Sequence, residues 1–203
     1  MKEGKSFALI SDAGSPVLSD PGLDLTRAVI QAGFSLTCIP GPSAIPAALV
    51  LSGFPAEPFS FLGFLPSGAE ARKTVLTQIA DLSGHTLVLF ESPVRILSLI
   101  REIGEVLGDR EVAVCRELTK LHEEVVRGKI SEVIPILSSR KLQGEFTLVV
   151  APGEAQPIHM TDEAIIARFQ QLQKEGLSKK DALKKVVRES GRTRNELYSL
   201  LMK

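Results

Sequence analysis

The chain has 203 residues, of which 44% are hydrophobic and 24% charged, and its 24 basic residues balance its 24 acidic ones. This composition excludes a disordered chain, and the apolar runs, such as residues 86–90, are far shorter than the roughly 20 residues that cross a bilayer. Cys38 and Cys115 lie in strand-like runs, so we expect two buried thiols in a reducing, cytoplasmic compartment and neither a disulfide framework nor a metal site.

The first quarter of the chain predicts strands alternating with helices. Residues 7–10 and 36–39 are apolar runs typical of buried strands, and each ends in a loop rich in glycine and proline. Helical patterns follow at 25–32, ending at Gly33, and from Ser43 to residue 51. This order predicts a parallel sheet.

A boundary at Gly53-Phe54-Pro55 precedes a second α/β unit, whose strands need not all be parallel. Strands are predicted at 59–65, 86–90, 112–116, 123–128 and 146–151, and helices at 69–81, 93–107 and 130–139.

The last 43 residues predict three short helices after a turn-rich linker at 152–160. Thr161 can cap the first, and Ser178 with Asp181 and Thr193 with Glu196 fit the capping-box spacing. Residues 161–203 hold 10 basic and 6 acidic side chains, whereas residues 1–160 have a net charge of −4. A basic appendage of helix-turn-helix character suits a polyanion, although a solvated face on a ligand-free three-helix unit has the same pattern.

Two loops follow the two predicted N-terminal strands and are candidates for a ligand cleft. Residues 11–22 carry Asp12 and Asp20 among glycines and prolines, and residues 40–44 carry Ser43 at a helix start. In an open α/β sheet ligands lie beyond the carboxyl ends of strands. Tight turns without a ligand remain the alternative. The spacing matches neither a dinucleotide fingerprint nor a P-loop.

Charged residues also follow two later strands, at 90–95 and at 116–120. Together they predict a polar wall facing the loops, with structural ion pairs as the alternative. The histidines, at 85, 122 and 159, show no triad or metal-ligand spacing, so we expect no metal.

Six motifs, in this order, resemble the tetrapyrrole methylase superfamily, and within it the RsmI-type branch, which methylates a ribose 2′-oxygen of small-subunit ribosomal RNA. They are residues 8–22 (ALISDAGSPVLSDPG), 40–44 (PGPSA), 63–66 (GFLP), 90–95 (FESPVR), 116–120 (RELTK) and 144–149 (GEFTLV). The resemblance extends over essentially the whole chain, because the basic tail is similar to that branch's C-terminal helical domain.

This resemblance implies an S-adenosylmethionine-dependent methyltransferase of α/β class that works as a homodimer on 16S ribosomal RNA or the small subunit. The implied organisation is a first α/β domain, shortened to residues 1–53, a second at 54–152, and a C-terminal helical domain at 161–203. The cofactor would lie in the cleft between the two α/β domains. The implied cofactor-binding residues are Asp12, Ser15, Val17, Ser43, Ala44, Phe90 and Thr147.

For the chemical step, methylation of a cytidine 2′-oxygen needs a base or a cation beside the ribose hydroxyl. Our hypothesis assigns this step to Glu117 and Lys120, with Asp20 as a third candidate. The candidate RNA-binding residues are Arg95, Arg116, Lys179, Lys180, Lys184, Arg188, Arg192 and Arg194.

Two alternatives remain open. The chain could methylate carbon on a tetrapyrrole, although its first loop is longer than the Gly-Asp-Pro loop of those family members. It could also bind ribosomal RNA without catalysis, because the family's first roughly 70 to 80 residues, the size of a small domain, have no counterpart before residue 7.

Overall fold

The computed structural model describes residues 3–82, 84–153, 161–190, 192 and 194–201. The chain divides into two compact units, Met1–Gly153 and Glu154–Lys203. In the part of the chain that is described, none of the helices has the length and apolar content needed to cross a membrane.

The N-terminal region contains two helices, α1 (Leu23–Gln31) and α2 (Ala44–Ser52), but the two predicted strands are wrong. Residues 7–10 and 36–39 have no ladder partner among the described residues, and Phe7, Ile10 and Ile39 are largely exposed. Two strands by themselves make a marginal sheet, which explains why apolar content alone does not form one here. Cys38 lies in this region and is exposed, contrary to the expectation of two buried thiols.

The sheet is built from five strands, and their direction, which the sequence leaves open, is mixed. The strands are β1 (Phe59–Phe64), β2 (Thr86–Glu91), β3 (Glu111–Arg116), β4 (Glu124–Lys129) and β5 (Phe146–Val150). Their order is β1-β2-β5-β3-β4. Only the β1–β2 pair is parallel, and the three other pairs are antiparallel.

Three helices cover one face of this sheet: α3 (Ala69–Ile79), α4 (Ile96–Leu107) and α5 (Ile130–Ser138). In α4 the buried residues Ile96, Leu99, Ile100 and Ile103 recur at helical spacing. They pack on alternate strand residues such as Leu87, Leu89 and Leu148 and form the main hydrophobic core.

The opposite face of the sheet carries α2. Ile45, Ala48 and Leu49 of this helix pack on Val88, Ala113, Cys115 and Val149 of the central strands. Burial raises the pKa of the Cys115 thiol to about 11, so this cysteine is a packed apolar group. We call the face of the sheet that α2 covers the α2 face.

The second unit contains three helices, α6 (Asp162–Lys174), α7 (Lys179–Ser190) and α8 (Arg194–Leu201). Thr161 caps α6 by accepting the Ala164 N–H, and Ser178 accepts the N–H of Asp181. The buried side chains shared by the three helices are Ile165, Phe169, Leu172, Ala182, Leu183, Val186 and Leu197. The linker at 154–160 and the Thr193 cap lie outside the described residues.

Candidate functional site

The direction of α2 shows which end of the sheet its first residues face. Arg127 donates to the carbonyl of Leu51 at the end of α2, with its Nε at 2.8 Å. Just beyond the helix, the carbonyl of Pro55 accepts the Thr86 hydroxyl at the start of β2, at 2.6 Å. The C-terminus of α2 therefore lies near the amino end of β2. The nine residues of α2 extend about 14 Å, so its N-terminus, at Ser43 and Ala44, lies toward the carboxyl end.

Phe90 and Thr147, two of the predicted cofactor residues, are direct cross-strand neighbours at that end. Phe90 of β2 pairs with Thr147 of β5, and Thr147 pairs in turn with Cys115 of β3. The Phe90 ring is half-buried and packs edge-on against Phe61, with ring centroids 5.0 Å apart. Thr147 is buried. These two residues form the floor of a candidate site on the α2 face.

The loop at 11–22 is held in an unusual backbone conformation. Val17 and Ser19 have φ values of 77° and 58°, in the left-handed region that β-branched residues such as valine rarely adopt. The Ser11 hydroxyl donates to the Asp20 carboxylate and ties the two ends of the loop together. The loop approaches β1 so closely that a Cβ on Gly63 would lie 3.0 Å from the Ser19 hydroxyl oxygen.

The other predicted cofactor residues keep their polar groups accessible. Asp12 is exposed, Ser15 and Val17 are half-buried, and the Ser43 side chain makes no capping hydrogen bond to α2. A Cβ at either Gly14 or Gly41 would meet nothing within 4 Å, so a ligand can approach the backbone of both loops.

Glu117, Lys120 and Glu145 form a charged cluster where β3 ends and β5 begins. The Lys120 ammonium donates to Oε1 of Glu117 at 3.0 Å and to Oε2 of Glu145 at 2.9 Å. The same Glu117 oxygen accepts the Glu145 N–H at 2.9 Å. In return, the Glu145 carbonyl accepts the Glu117 N–H at 3.0 Å. One carboxylate thus joins the lysine to the strand that carries Thr147.

These hydrogen bonds set the charge state of the cluster. The pKa of Glu117 is lowered, mainly by the N–H of Glu145 and next by the Lys120 ammonium. The pKa of Lys120 is raised, first by Glu145 and then by Glu117. A carboxylate with a lowered pKa is a weak base, whereas the ammonium is held charged and is still 45% exposed. The arrangement favours a cation beside a ligand over a general base.

The backbone around the cluster is tightly constrained. Glu117 and Thr119 have φ values of 51° and 66°, and the Glu123 carboxylate accepts the Thr119 N–H. Gly144 has a φ of 89°, and a Cβ there would lie 2.6 Å from the carboxyl carbon of Glu117. Leu118 packs on the apolar residues of the α2 face and anchors the loop.

Asp20, the third candidate for the chemical step, is not brought to Lys120. Its neighbour Ser19 lies against β1, whereas Lys120 follows β3, and β2 and β5 lie between those strands. Three strand spacings amount to about 14 Å. The structure therefore leaves Asp20 in the first loop, on the other side of the Phe90–Thr147 floor.

Two of the predicted RNA-binding arginines in the first unit are engaged in internal contacts. Nη2 of Arg95 lies 2.8 Å from Oε1 of Glu91, a fully buried carboxylate. Nε of Arg116 donates to the Gln143 carbonyl at 2.7 Å, and its Nη1 lies 3.7 Å from Glu124. Arg95 is therefore held in a structural ion pair, whereas internal contacts hold only part of the Arg116 guanidinium.

In the second unit, Lys179, Lys180, Lys184 and Arg194 are exposed, as a surface for phosphates requires. Arg192 forms an ion pair with Asp162, at 2.6 Å. The Arg188 side chain lies outside the described residues.

Sequence reasoning did not assign roles to Glu145 or Arg140. Glu145 stands in the motif at 144–149, and its place directly before β5, two residues from Thr147, was the available signal. Arg140, which contacts Glu124, follows α5 in a loop without any motif, and only the fold reveals its place.

Comparison with known proteins adds an independent result. A sequence profile of the tetrapyrrole (corrin/porphyrin) methylases matches residues 1–134. The chain is similar to the ribosomal RNA small subunit methyltransferase I of Thermotoga maritima, with 46% identity over 154 residues, 76% of this chain and 68% of that protein. The protein of the same name from Mycobacterium bovis is 45% identical over 187 residues, 92% of this chain and 64% of its own length. The protein of the same name from Bacillus subtilis is 35% identical over 203 residues, which cover 98% of this chain and 69% of that protein.

The chain thus spans about two thirds of the length of the curated relatives it matches. Among solved structures, the crystal structure of the methyltransferase CobJ has the same fold, with a TM-score of 0.52 and 16% identity. The match covers 68% of this chain and 62% of that one.

Proposed function

The chain belongs to the tetrapyrrole methylase family, and we propose that it carries out the S-adenosylmethionine-dependent 2′-O-methylation of a cytidine ribose in 16S ribosomal RNA. Members of this family use S-adenosylmethionine as methyl donor. The observation that carries the proposal is the 35–46% identity to ribosomal RNA small subunit methyltransferases I. The matches over 187 and 203 residues are long enough to include basic helices of the second unit.

The residues of the candidate site fit this cofactor. The backbone at Gly14 and Gly41 is uncovered, and the Ser43 hydroxyl makes no capping hydrogen bond. These groups suit the amino acid end of the cofactor. The half-buried Phe90 ring beside Thr147 suits a flat adenine base. When bound, S-adenosylmethionine supplies a methyl group on a positively charged sulfur.

The part of this chain in the reaction is to stabilise the ribose oxygen as its proton leaves. We assign that task to Lys120, because its ammonium is charged, partly exposed and held in place by two carboxylates. Glu117 acts as a positioning residue, since its lowered pKa makes it a poor proton acceptor. The proton goes to solvent water in this scheme.

RNA binding is assigned in the first place to α7. Lys180 and Lys184 are one helical turn apart and both exposed, which suits successive phosphates. The proposal includes the family's homodimer, the organisation of residues 1–53 and 54–152 as two domains, a third helical domain at 161–203, and a cytoplasmic location where small subunits are made.

The experiment is a calorimetric titration of the chain with S-adenosylhomocysteine, followed by an RNA-binding titration with small-subunit RNA. We expect micromolar one-to-one binding of the nucleoside and RNA binding that weakens steeply with salt. A folded chain that binds neither ligand would contradict the proposal. A chain that prefers polycarboxylate tetrapyrroles to RNA would assign it to the other branch of the family.

A further inference from the structure

Arg116, Glu124 and Arg140 form a second charged cluster on the other side of the β3 terminus. Arg116 and Glu124 are cross-strand partners on β3 and β4, and Arg140 lies in the loop after α5. Nη1 of Arg140 contacts Oε1 of Glu124 at 2.5 Å, while Nη1 of Arg116 is 3.7 Å from the other oxygen of the same carboxylate. Two guanidinium groups therefore share one carboxylate.

This cluster holds an excess of positive charge and of hydrogen-bond donors. Its net charge is +1. Among the described residues, Nε and Nη2 of Arg140 have no partner, although both atoms are buried. Nε of Arg116 donates to the Gln143 carbonyl, and Nη1 of Arg116 is too far from Glu124 for a hydrogen bond. Buried donors without an acceptor are costly unless another group completes them.

The segment 143–145 places this cluster close to Lys120. The Gln143 carbonyl accepts from Arg116, and Gly144 packs against Glu117. Glu145, the third residue of the segment, contacts Lys120. Three residues of extended chain span about 10 Å, so the two clusters flank the same short segment.

We propose that Arg116 and Arg140 bind a backbone phosphate of the RNA substrate, on the side of the segment 143–145 opposite Lys120. Guanidinium groups match the geometry of phosphate oxygens and bind them through paired N–H groups. Glu124 positions the two guanidinium groups, whose side chains stay 24% and 33% exposed and so can be reached by a phosphate. The inference rests on the proposed ribosomal RNA function and adds a phosphate site to it.

The test compares three substitutions by RNA-binding titration with small-subunit RNA at several salt concentrations. Arg140→Gln should weaken binding about tenfold and lower the slope of log K against log salt by about 0.7. Glu124→Gln should tighten binding about threefold, because it removes a negative charge that competes with the phosphate. Arg101→Gln, at an exposed arginine on α4, is the matched control and should change nothing.

Glu124→Gln distinguishes a phosphate site from a merely structural ion pair. Breaking a structural ion pair would weaken RNA binding. S-adenosylhomocysteine affinity, unchanged in all three variants, reports that the fold persists. The phosphate site is wrong if Arg140→Gln behaves like Arg101→Gln, or if Glu124→Gln fails to tighten binding while the unmodified chain binds RNA. If the unmodified chain itself binds no RNA, the proposed ribosomal function fails, and the phosphate site with it.

Discussion

The ammonium nitrogen of Lys120 lies 3.0 Å from Oε1 of Glu117, the same oxygen that accepts the N–H of Glu145. This shared oxygen couples the side chain of the lysine to the backbone of β5, the strand that carries Thr147. The position of the lysine relative to the floor of the candidate site is therefore tied to the pairing of β3 with β5.

Replacing Lys120 tests its assignment to the chemical step. We expect Lys120→Ala to lower kcat for methyl transfer about a hundredfold, the usual loss when a group that stabilises a developing anion is removed. S-adenosylhomocysteine affinity should stay unchanged, and Lys120→Arg should restore part of the rate. Lys73→Ala, at an exposed lysine on α3, is the control. Equal rates for Lys120→Ala and the control would refute the assignment.

Replacing Glu117 separates a positioning residue from a base. Glu117→Gln keeps an acceptor for the Glu145 N–H but loses the charge that holds Lys120. We expect a smaller loss of kcat than in Lys120→Ala, with a pH–rate profile of unchanged shape, because the lowered pKa keeps Glu117 ionised across the neutral range. If the variant abolishes a limb of the profile between pH 5 and 8, Glu117 is the base.

Gly144→Ala should disturb the cluster of Glu117, Lys120 and Glu145. The residue has a φ of 89°, and a new Cβ would lie 2.6 Å from the Glu117 carboxyl group, so Glu117 must move. Gly108→Ala is a matched control, because its φ is 83° but a Cβ there meets nothing within 4 Å. Both variants should lose about 1–2 kcal/mol of stability from backbone strain. Only Gly144→Ala should also lose methyl transfer, and equal activity in the two variants would contradict the account.

The ion pair between Arg72 and Glu102 predicts how stability depends on pH. Both oxygens of Glu102 accept from Arg72 at 2.5 Å, and the arginine is almost completely buried. The hydrogen bonds from Arg72 lower the pKa of Glu102, partly offset by burial. The ionised form is therefore favoured by folding. Its contribution to stability is complete above the ordinary value of 4.5 and is lost as the pH falls through the lower folded value.

We expect Glu102→Gln to cost about 2 kcal/mol at pH 7, because the buried Arg72 guanidinium loses its hydrogen-bonded carboxylate. The difference from the unmodified chain should shrink as the pH falls below 4.5. Urea unfolding at pH 7 and in acid measures both effects. Glu105→Gln, at an exposed position of the same helix, is the control. A difference that stays constant with pH would show that the charge of Glu102 is not the cause.

Removing positive charge from α7 tests whether the second unit binds RNA. The double variant Lys180→Gln with Lys184→Gln should reduce RNA affinity and lower the salt slope by about 1.4, since two phosphate contacts on a single strand are lost. Lys174→Gln on α6 is the control for a single exposed lysine elsewhere in the unit. Affinity that does not respond to salt, or that is unchanged in the double variant, would remove α7 from the interface.

The elements of the sheet and the helices around it could be predicted from the sequence because their signals are local. Short, nearly continuous apolar runs mark the buried strands β3 and β5, and the i, i+3, i+4 spacing marks α4. The mixed strand direction was left open by these patterns and is set by pairing between distant segments. Residues 7–10 and 36–39 have the same local apolar content as β5, yet without neighbouring strands they form no ladder.

The candidate site was predictable only in part, for a similar reason. The motif residues Glu117 and Lys120 were identified, but their contact with Glu145 depends on the pairing of β3 with β5. The contacts of Arg95 with Glu91 and of Arg140 with Glu124 also arise from packing, which spacing along the chain does not encode.

Methyl transfer to a ribose oxygen of small-subunit RNA can be measured in an assay with methyl-labelled S-adenosylmethionine and unmethylated small subunits. We expect label in 16S RNA that survives alkaline hydrolysis within a dinucleotide beginning with cytidine, because a 2′-O-methyl group blocks cleavage of the next linkage. We also expect loss of that label in Lys120→Ala. A folded, nucleoside-binding chain that places the label on a base or on a tetrapyrrole, or that transfers none, would contradict the proposed function.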